Sequence, residues 1–294
     1  EFNIHTSSGD ITAQNLENNN INLVTAETDM NAVVSAMIGR SLTDFFHKNH
    51  AVKGEVVLRV EHLSQKGVFE DISFTIRKGE VVGLYGLVGA GRTEIVETIF
   101  GIRKKTSGDI YLHNKRLELK SSRDAVRHNI CLVPEDRKNQ GLILRASCRD
   151  NIALAKLPRL ASKLGFIPDK RLDEIYDVYH DKLGIASPSG AQRVLYLSGG
   201  NQQKIVIGKW LSLMPDLLIL DEPTRGIDIG SKSEIHKLIA SLAEQGMAVL
   251  VISSEMPEIM GISDRIITIA NGYKTAELEA EEISERNLIH AIHA

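Results

Sequence analysis

The run Val81-Val82-Gly83-Leu84-Tyr85 passes without a break into Gly86-Leu87-Val88-Gly89-Ala90-Gly91-Arg92-Thr93, and this stretch limits the available folds more than any other. An uninterrupted apolar strand is buried on both faces, which is the environment of a parallel sheet. Three glycines then release the backbone into a tight loop, and helical patterning continues to about Phe100. Strand, glycine loop and helix make an anion site: backbone N–H groups converge on phosphate oxygens and the helix points its positive end at them.

The remaining pattern fits around that unit. Residues 56–60 and 72–76 alternate as half-buried antiparallel strands, with a turn at Lys78-Gly79-Glu80. Strands are predicted at 110–112 and 130–133, a helix at 122–128 and a polar loop at 134–141. Residues 146–194 are mostly helical, clearest at 151–157 and 169–183, with breaks at Pro158, Gly165, Pro168 and Pro188. Strand and helix then alternate: 217–220, 231–245, 248–252, 258–262, 266–269, a turn at Asn271-Gly272, and a last helix over 281–293. The expected class is α/β, a P-loop NTPase core with a mostly parallel sheet, an antiparallel β subdomain and a small helical subdomain at about 142–208. Residues 1–28, polar and Asn-rich, are expected to be a disordered or appended tail, 29–54 a linker with a helix at 30–39, 55–280 the core and 281–294 a terminal helix.

Composition removes several functions. The net charge is -3 with both signs interspersed, so no basic face points to nucleic acid. Two cysteines, Cys131 and Cys148, suit a reducing compartment. No run reaches the roughly 20 apolar residues of a membrane span, and the opening residues show no charged-then-apolar signal-peptide pattern. A cytoplasmic protein is expected.

Asp221 and Glu222 end the buried run Leu217-Leu218-Ile219-Leu220, where a parallel sheet presents ligands. Taken alone, the pair reads as a solvated acidic turn before Pro223. Beside a phosphate loop, Asp221 and Thr93 are expected to hold Mg2+, and Glu222 to orient or deprotonate an attacking water. His290 and His293, one helical turn apart, have no third ligand nearby.

Between loop and carboxylates lies Leu197-Ser198-Gly199-Gly200-Asn201-Gln202-Gln203-Lys204, and Gly226-Ile227-Asp228 and Ser253-Ser254-Glu255 follow. In this order, residues 56–277 resemble ATP-binding cassette ATPases. Gly86 to Thr93, Val133-Pro134-Glu135-Asp136-Arg137-Lys138, the Gly-Gly-Asn-Gln-Gln form and Asp221-Glu222-Pro223-Thr224-Arg225-Gly226 resemble the second cassette of double-cassette bacterial monosaccharide importers.

The resemblance implies ATP and Mg2+ as cofactors. It assigns nucleotide contacts to Gly86, Leu87, Val88, Gly89, Ala90, Gly91, Arg92, Thr93, Glu94 and Glu135. It further implies that Ser198, Gly199, Gly200, Gln202 and Asp228 serve a nucleotide shared between cassettes, and that Glu222 and Ser254 stand at the catalytic positions. Three departures weaken the phosphate side: Arg92 replaces a lysine, Glu135 a glutamine and Ser254 a histidine. Losing one transition-state donor costs about 2.7–4 kcal/mol. Adenine stacking falls to Phe69, which reads equally as core beside Ile72 and Phe74. The implied partners are the first cassette of the same full-length chain, transmembrane permease subunits docking on residues 135–145 and, indirectly, an extracytoplasmic sugar-binding protein. The expected location is the inner face of the plasma membrane. Other readings are a non-catalytic nucleotide-dependent interaction module, or an importer of a nucleoside or furanosyl signal.

Overall fold

The computed structural model describes residues 2–7, 10–15, 53–162 and 166–293, in two units, Glu1–Phe46 and His47–Ala294. In the first, β1 (Phe2–Ser7) pairs antiparallel with β2 (Asp10–Asn15), Phe2 opposite Asn15 and Ser7 opposite Asp10. This hairpin differs from the element-free tail expected there; β-branched Ile4, Thr6, Ile11 and Thr12 favour extended backbone. The helix predicted at 30–39, the linker through residue 52 and the break at Gly165 lie outside the described residues.

In the second unit β3 (Val56–Gln65) and β4 (Phe69–Arg77) alternate in burial and pair antiparallel, as period-two patterning requires. The buried strand β5 (Val81–Tyr85) leads through the glycine loop into α1 (Arg92–Ile99). Strands β6 (Ser107–Leu112) and β7 (Lys115–Leu117) complete a four-stranded sheet of order β4-β3-β6-β7. Helix α2 (Ser122–Arg127) precedes β8 (Ile130–Val133). The predicted polar loop at 134–141 instead closes a π-helical turn, Arg137–Gly141. Asp136 caps it by accepting from the N–H groups of Lys138 and Asn139.

The helical subdomain holds α3 (Cys148–Ala153), α4 (Leu157–Leu160) and α5 (Asp169–Leu183), and returns through α6 (Gly199–Leu211). Then come β9 (Leu217–Asp221), α7 (Ile229–Glu244), β10 (Ala248–Ile252), α8 (Met256–Ile262) and β11 (Arg265–Ala270). A strand the patterning did not mark, β12 (Tyr273–Leu278), folds back antiparallel on β11 before α9 (Glu285–His293). The central sheet has the order β12-β11-β5-β10-β9-β8, parallel except for β12.

The two sheets share one core. Leu58, Leu63, Ile72 and Ile76 of the small sheet join Leu84, Ile219, Leu250 and Ile267 of the large one, with Ile95, Val96 and Ile99 of α1 between. Burial of α1 on both sheets sets the direction in which its N-terminus points. No helix among the described residues is long and apolar enough to cross a membrane.

Candidate functional site

Strand register gathers the site. Leu84 pairs with Ile252, and Ile252 with Asp221, so β5, β10 and β9 end at one level. The glycine loop, Ser253-Ser254 and Asp221-Glu222 therefore leave the sheet side by side, at the carboxyl edge where parallel sheets bind ligands. A cleft of about 480 Å³ lies there, lined by residues 88–94 with Glu135, Glu222 and Ser254.

The loop requires its glycines. A Cβ on Gly86 would lie 2.2 Å from the carbonyl oxygen of Ile269, and Gly91, at φ 99°, ends the loop in the left-handed region as the N-cap of α1. No side chain caps α1, so its first N–H groups are free to meet an anion. Leu87 and Val88 project outward, while Ala90 is buried.

Arg92 does not reach into the cleft as a free cation. Only 7% exposed, it donates from Nη1 to the carbonyl oxygen of Ser253 at 2.8 Å and lies 3.7 Å from Glu222 through Nη2. Burial pulls its pKa down, and the carboxylates of Glu222 and Asp221 oppose this. Glu222 holds φ 47°, rare for a residue with a Cβ, and accepts from Ser254 Oγ at 3.2 Å. The proposed catalytic pair is thus in contact, with Arg92 as its counter-cation.

Asp221 is 2% exposed, and its pKa is pushed up to about 6, chiefly by burial, against the pull of a hydrogen bond with Thr93. Its Oδ1 is buried without a partner. An orphaned carboxylate oxygen beside a threonine hydroxyl is a hard-oxygen donor set that fits Mg2+.

Glu94 lines the same cleft, with Arg103 3.9 Å away. Glu135 is ion-paired with Arg225.

None of Ser198, Gly199, Gly200, Gln202 and Asp228 lines the cleft. Exposed Ser198 caps α6 by accepting from the Asn201 N–H. Gly200 is buried so closely that a Cβ there would lie 2.1 Å from Ser231 Oγ. Asp228 caps α7, accepting from Ser231 N–H at 2.9 Å. Gln202 turns inward, 5% exposed, and donates to the Val194 carbonyl at 3.2 Å, so its side chain is spent within the subdomain. Phe69 is 3% exposed and belongs to the core.

Two side-chain roles were not legible in the sequence. Arg137 donates to the carbonyls of Arg225 at 2.7 Å and Gly226 at 2.9 Å, tying the Glu135 segment to the chain after Glu222. Glu258 is a buried hub. It accepts from Thr224 Oγ1 at 2.6 Å and from Ser253 Oγ, and lies 2.6 Å from His236 Nε2. Thr224 and His236 lie 34 and 22 residues away, so no local pattern marks Glu258.

A family model described as ABC transporter matches residues 69–225. The chain belongs to the ABC transporter family. Among the relatives of this ABC chain is a putative ribose/galactose/methyl galactoside import ATP-binding protein of Geobacillus kaustophilus. It is 47% identical over 87% of this chain and 51% of the relative. Ribose import ATP-binding proteins of Geobacillus kaustophilus and Bacillus subtilis are 46% and 43% identical, each over 90% of this chain and 53% of its own length. The chain thus spans about half the length of the curated relatives it matches. A solved nucleotide-free ATP-binding cassette of an ABC transporter superposes with a TM-score of 0.69 at 20% identity, covering 80% of this chain and 96% of that one. An ATP-binding cassette in its ADP conformation gives 0.68 at 21%, covering 82% and 99%. The fold is that of the P-loop NTPase core, with an antiparallel β subdomain and a helical subdomain.

Proposed function

We propose that this chain is the second ATP-binding cassette of a monosaccharide import ATPase, with a weakened phosphate side and a signature helix that completes the ATP site of the first cassette. The observation that carries this reading is Arg92, whose charge is committed to Glu222 and to the Ser253 carbonyl. A lysine at this position would be a compact mobile charge; the planar guanidinium is held by its own protein. Phosphate binding has to compete with that pairing. Ser198 and Gly199, by contrast, open α6 with their polar groups accessible to a second cassette.

Bound ATP would lay its phosphates on the N–H groups of residues 86–93. Thr93 and Asp221 would hold Mg2+, which supplies neutralisation of phosphate charge. Glu222 would take the proton of an attacking water, and Ser254 would steady Glu222 without supplying the cationic contact of a histidine. The partners are the first cassette of a full-length chain, permease subunits docking on residues 135–145 and an extracytoplasmic sugar-binding protein. The working place is the inner face of the plasma membrane. The identities with ribose and galactose import proteins support a pentose or hexose cargo.

Steady-state ATP hydrolysis by this chain alone, across protein concentration, tests the reading. Expected is no turnover beyond that of Glu222→Gln, and turnover on adding a first cassette that Ser198→Arg abolishes. Turnover by the chain alone, rising faster than linearly and lost in Glu222→Gln, would overturn it.

A further inference from the structure

The phosphate cleft is short of free positive charge. Glu94, Glu135, Glu222 and Glu255 line it, against two cations, Arg92 and Arg225. Arg92 is buried and already answers Glu222 and the Ser253 carbonyl. A magnesium-bound nucleoside triphosphate still carries net negative charge, which carboxylates on the cleft wall repel. Among the described residues that line the cleft, Arg225 alone offers a cation open to solvent, its side chain 66% exposed.

The backbone of Arg225, by contrast, is fixed. Its N–H donates to the Glu222 carbonyl at 3.2 Å, closing a turn that sets both residues on one wall of the cleft. Arg137 holds the Arg225 carbonyl at 2.7 Å and that of Gly226 at 2.9 Å. The guanidinium has one ion-pair partner among the described residues, Glu135, itself 36% exposed. An ion pair between exposed groups contributes little, because water screens it and two long side chains lose freedom in it. Exchanging that carboxylate for phosphate oxygens therefore costs little, and a planar guanidinium fits phosphate bidentately.

We infer that Arg225 is a phosphate-binding residue of this chain, which leaves Glu135 and takes the terminal phosphate of a nucleoside triphosphate held on the 86–93 loop. The terminal phosphate is indicated because Glu222, the group that would act on the water attacking it, shares a turn with Arg225. Arg225 thereby supplies the mobile charge that Arg92 has given up. Glu135 keeps the guanidinium at the cleft before nucleotide arrives and competes for it afterwards. This rests on the nucleotide-binding reading of the 86–93 loop.

Calorimetric titration of the chain with ATP and with ADP, each with Mg2+, tests the assignment. Arg225→Ala should weaken ATP about tenfold, the loss of one charged hydrogen-bonding contact, and leave ADP almost unchanged. The same loss should appear in a chain that already carries Glu135→Gln, since contact with phosphate does not need the carboxylate. Loss confined to the chain with Glu135 would mean that Arg225 only neutralises that carboxylate, and would overturn the inference. ATP binding unaffected by Arg225→Ala would overturn it too, as would equal weakening of ADP. No ATP binding by the unaltered chain would overturn the nucleotide reading, and the inference with it.

Discussion

Asp221 concentrates the electrostatics of the site. Its ordinary pKa of 3.8 rises to about 6 because burial penalises the charged form. The folded chain therefore keeps a proton that the unfolded chain releases, and stability falls as pH rises from about 4 to 6. Above that window the ionised group costs about 3 kcal/mol, an order-of-magnitude figure. Asp221→Asn should then raise Tm at pH 7.5 in chelator, with roughly half that gain at pH 5. Mg2+ should stabilise the parent chain at pH 7.5 and not the variant, because the ion needs the carboxylate. Melting curves decide it: equal gains at both pH values would show that Asp221 does not titrate as described. Arg92 and Phe69 belong to the same scale. Their residue types were legible, but the direction of a guanidinium and the burial of one ring depend on neighbours 161 residues away for Arg92 and across two sheets for Phe69.

Among the elements, α6 and α7 matter most, because their N-termini abut through a glycine. Ser198 caps one, Asp228 the other, and Gly200 of the first faces Ser231 of the second with no room for a methyl group. Gly200→Ala should cost about 1–3 kcal/mol by overpacking. Gly200→Ala combined with Ser231→Gly should recover part of it, a coupling that urea unfolding of the single and double variants would measure. Additive losses would mean that the contact is relieved elsewhere. Strands β5, β8, β9 and β10 were legible because burial on both faces writes an apolar run. Strand β12 was not, since Tyr273-Lys274-Thr275-Ala276-Glu277-Leu278 is an edge strand with no buried residue. The π-helical turn was hidden because its cap, Asp136, reads as ordinary loop polarity.

At the scale of the whole molecule, Arg265 joins the two sheets. From β11 it pairs with Glu80 at 3.0 Å and with Glu277, and donates to the Thr75 carbonyl of β4 at 2.7 Å. It is 5% exposed, so Arg265→Ala would leave Glu80, itself 2% exposed, as a buried carboxylate without that partner. A loss of about 3–5 kcal/mol is expected. Denaturant unfolding followed by both near- and far-UV signals should show it as one transition at lower midpoint. Separate transitions would mean that the small sheet unfolds independently of the core it shares.

The buried strands β5, β8, β9 and β10, the phosphate loop and the carboxylate pair were legible in the sequence alone, because each is written locally: an apolar run, a glycine spacing, a charge at a strand end. Tertiary structure alone decided that Arg92 answers Glu222 rather than the cleft, that Gln202 faces inward, that Glu258 ties three segments together and that the Phe69 ring is spent in the core. These depend on which groups meet across the sheet edge, and the energy of a buried charge or ring is set by those neighbours, not by its own place in the chain.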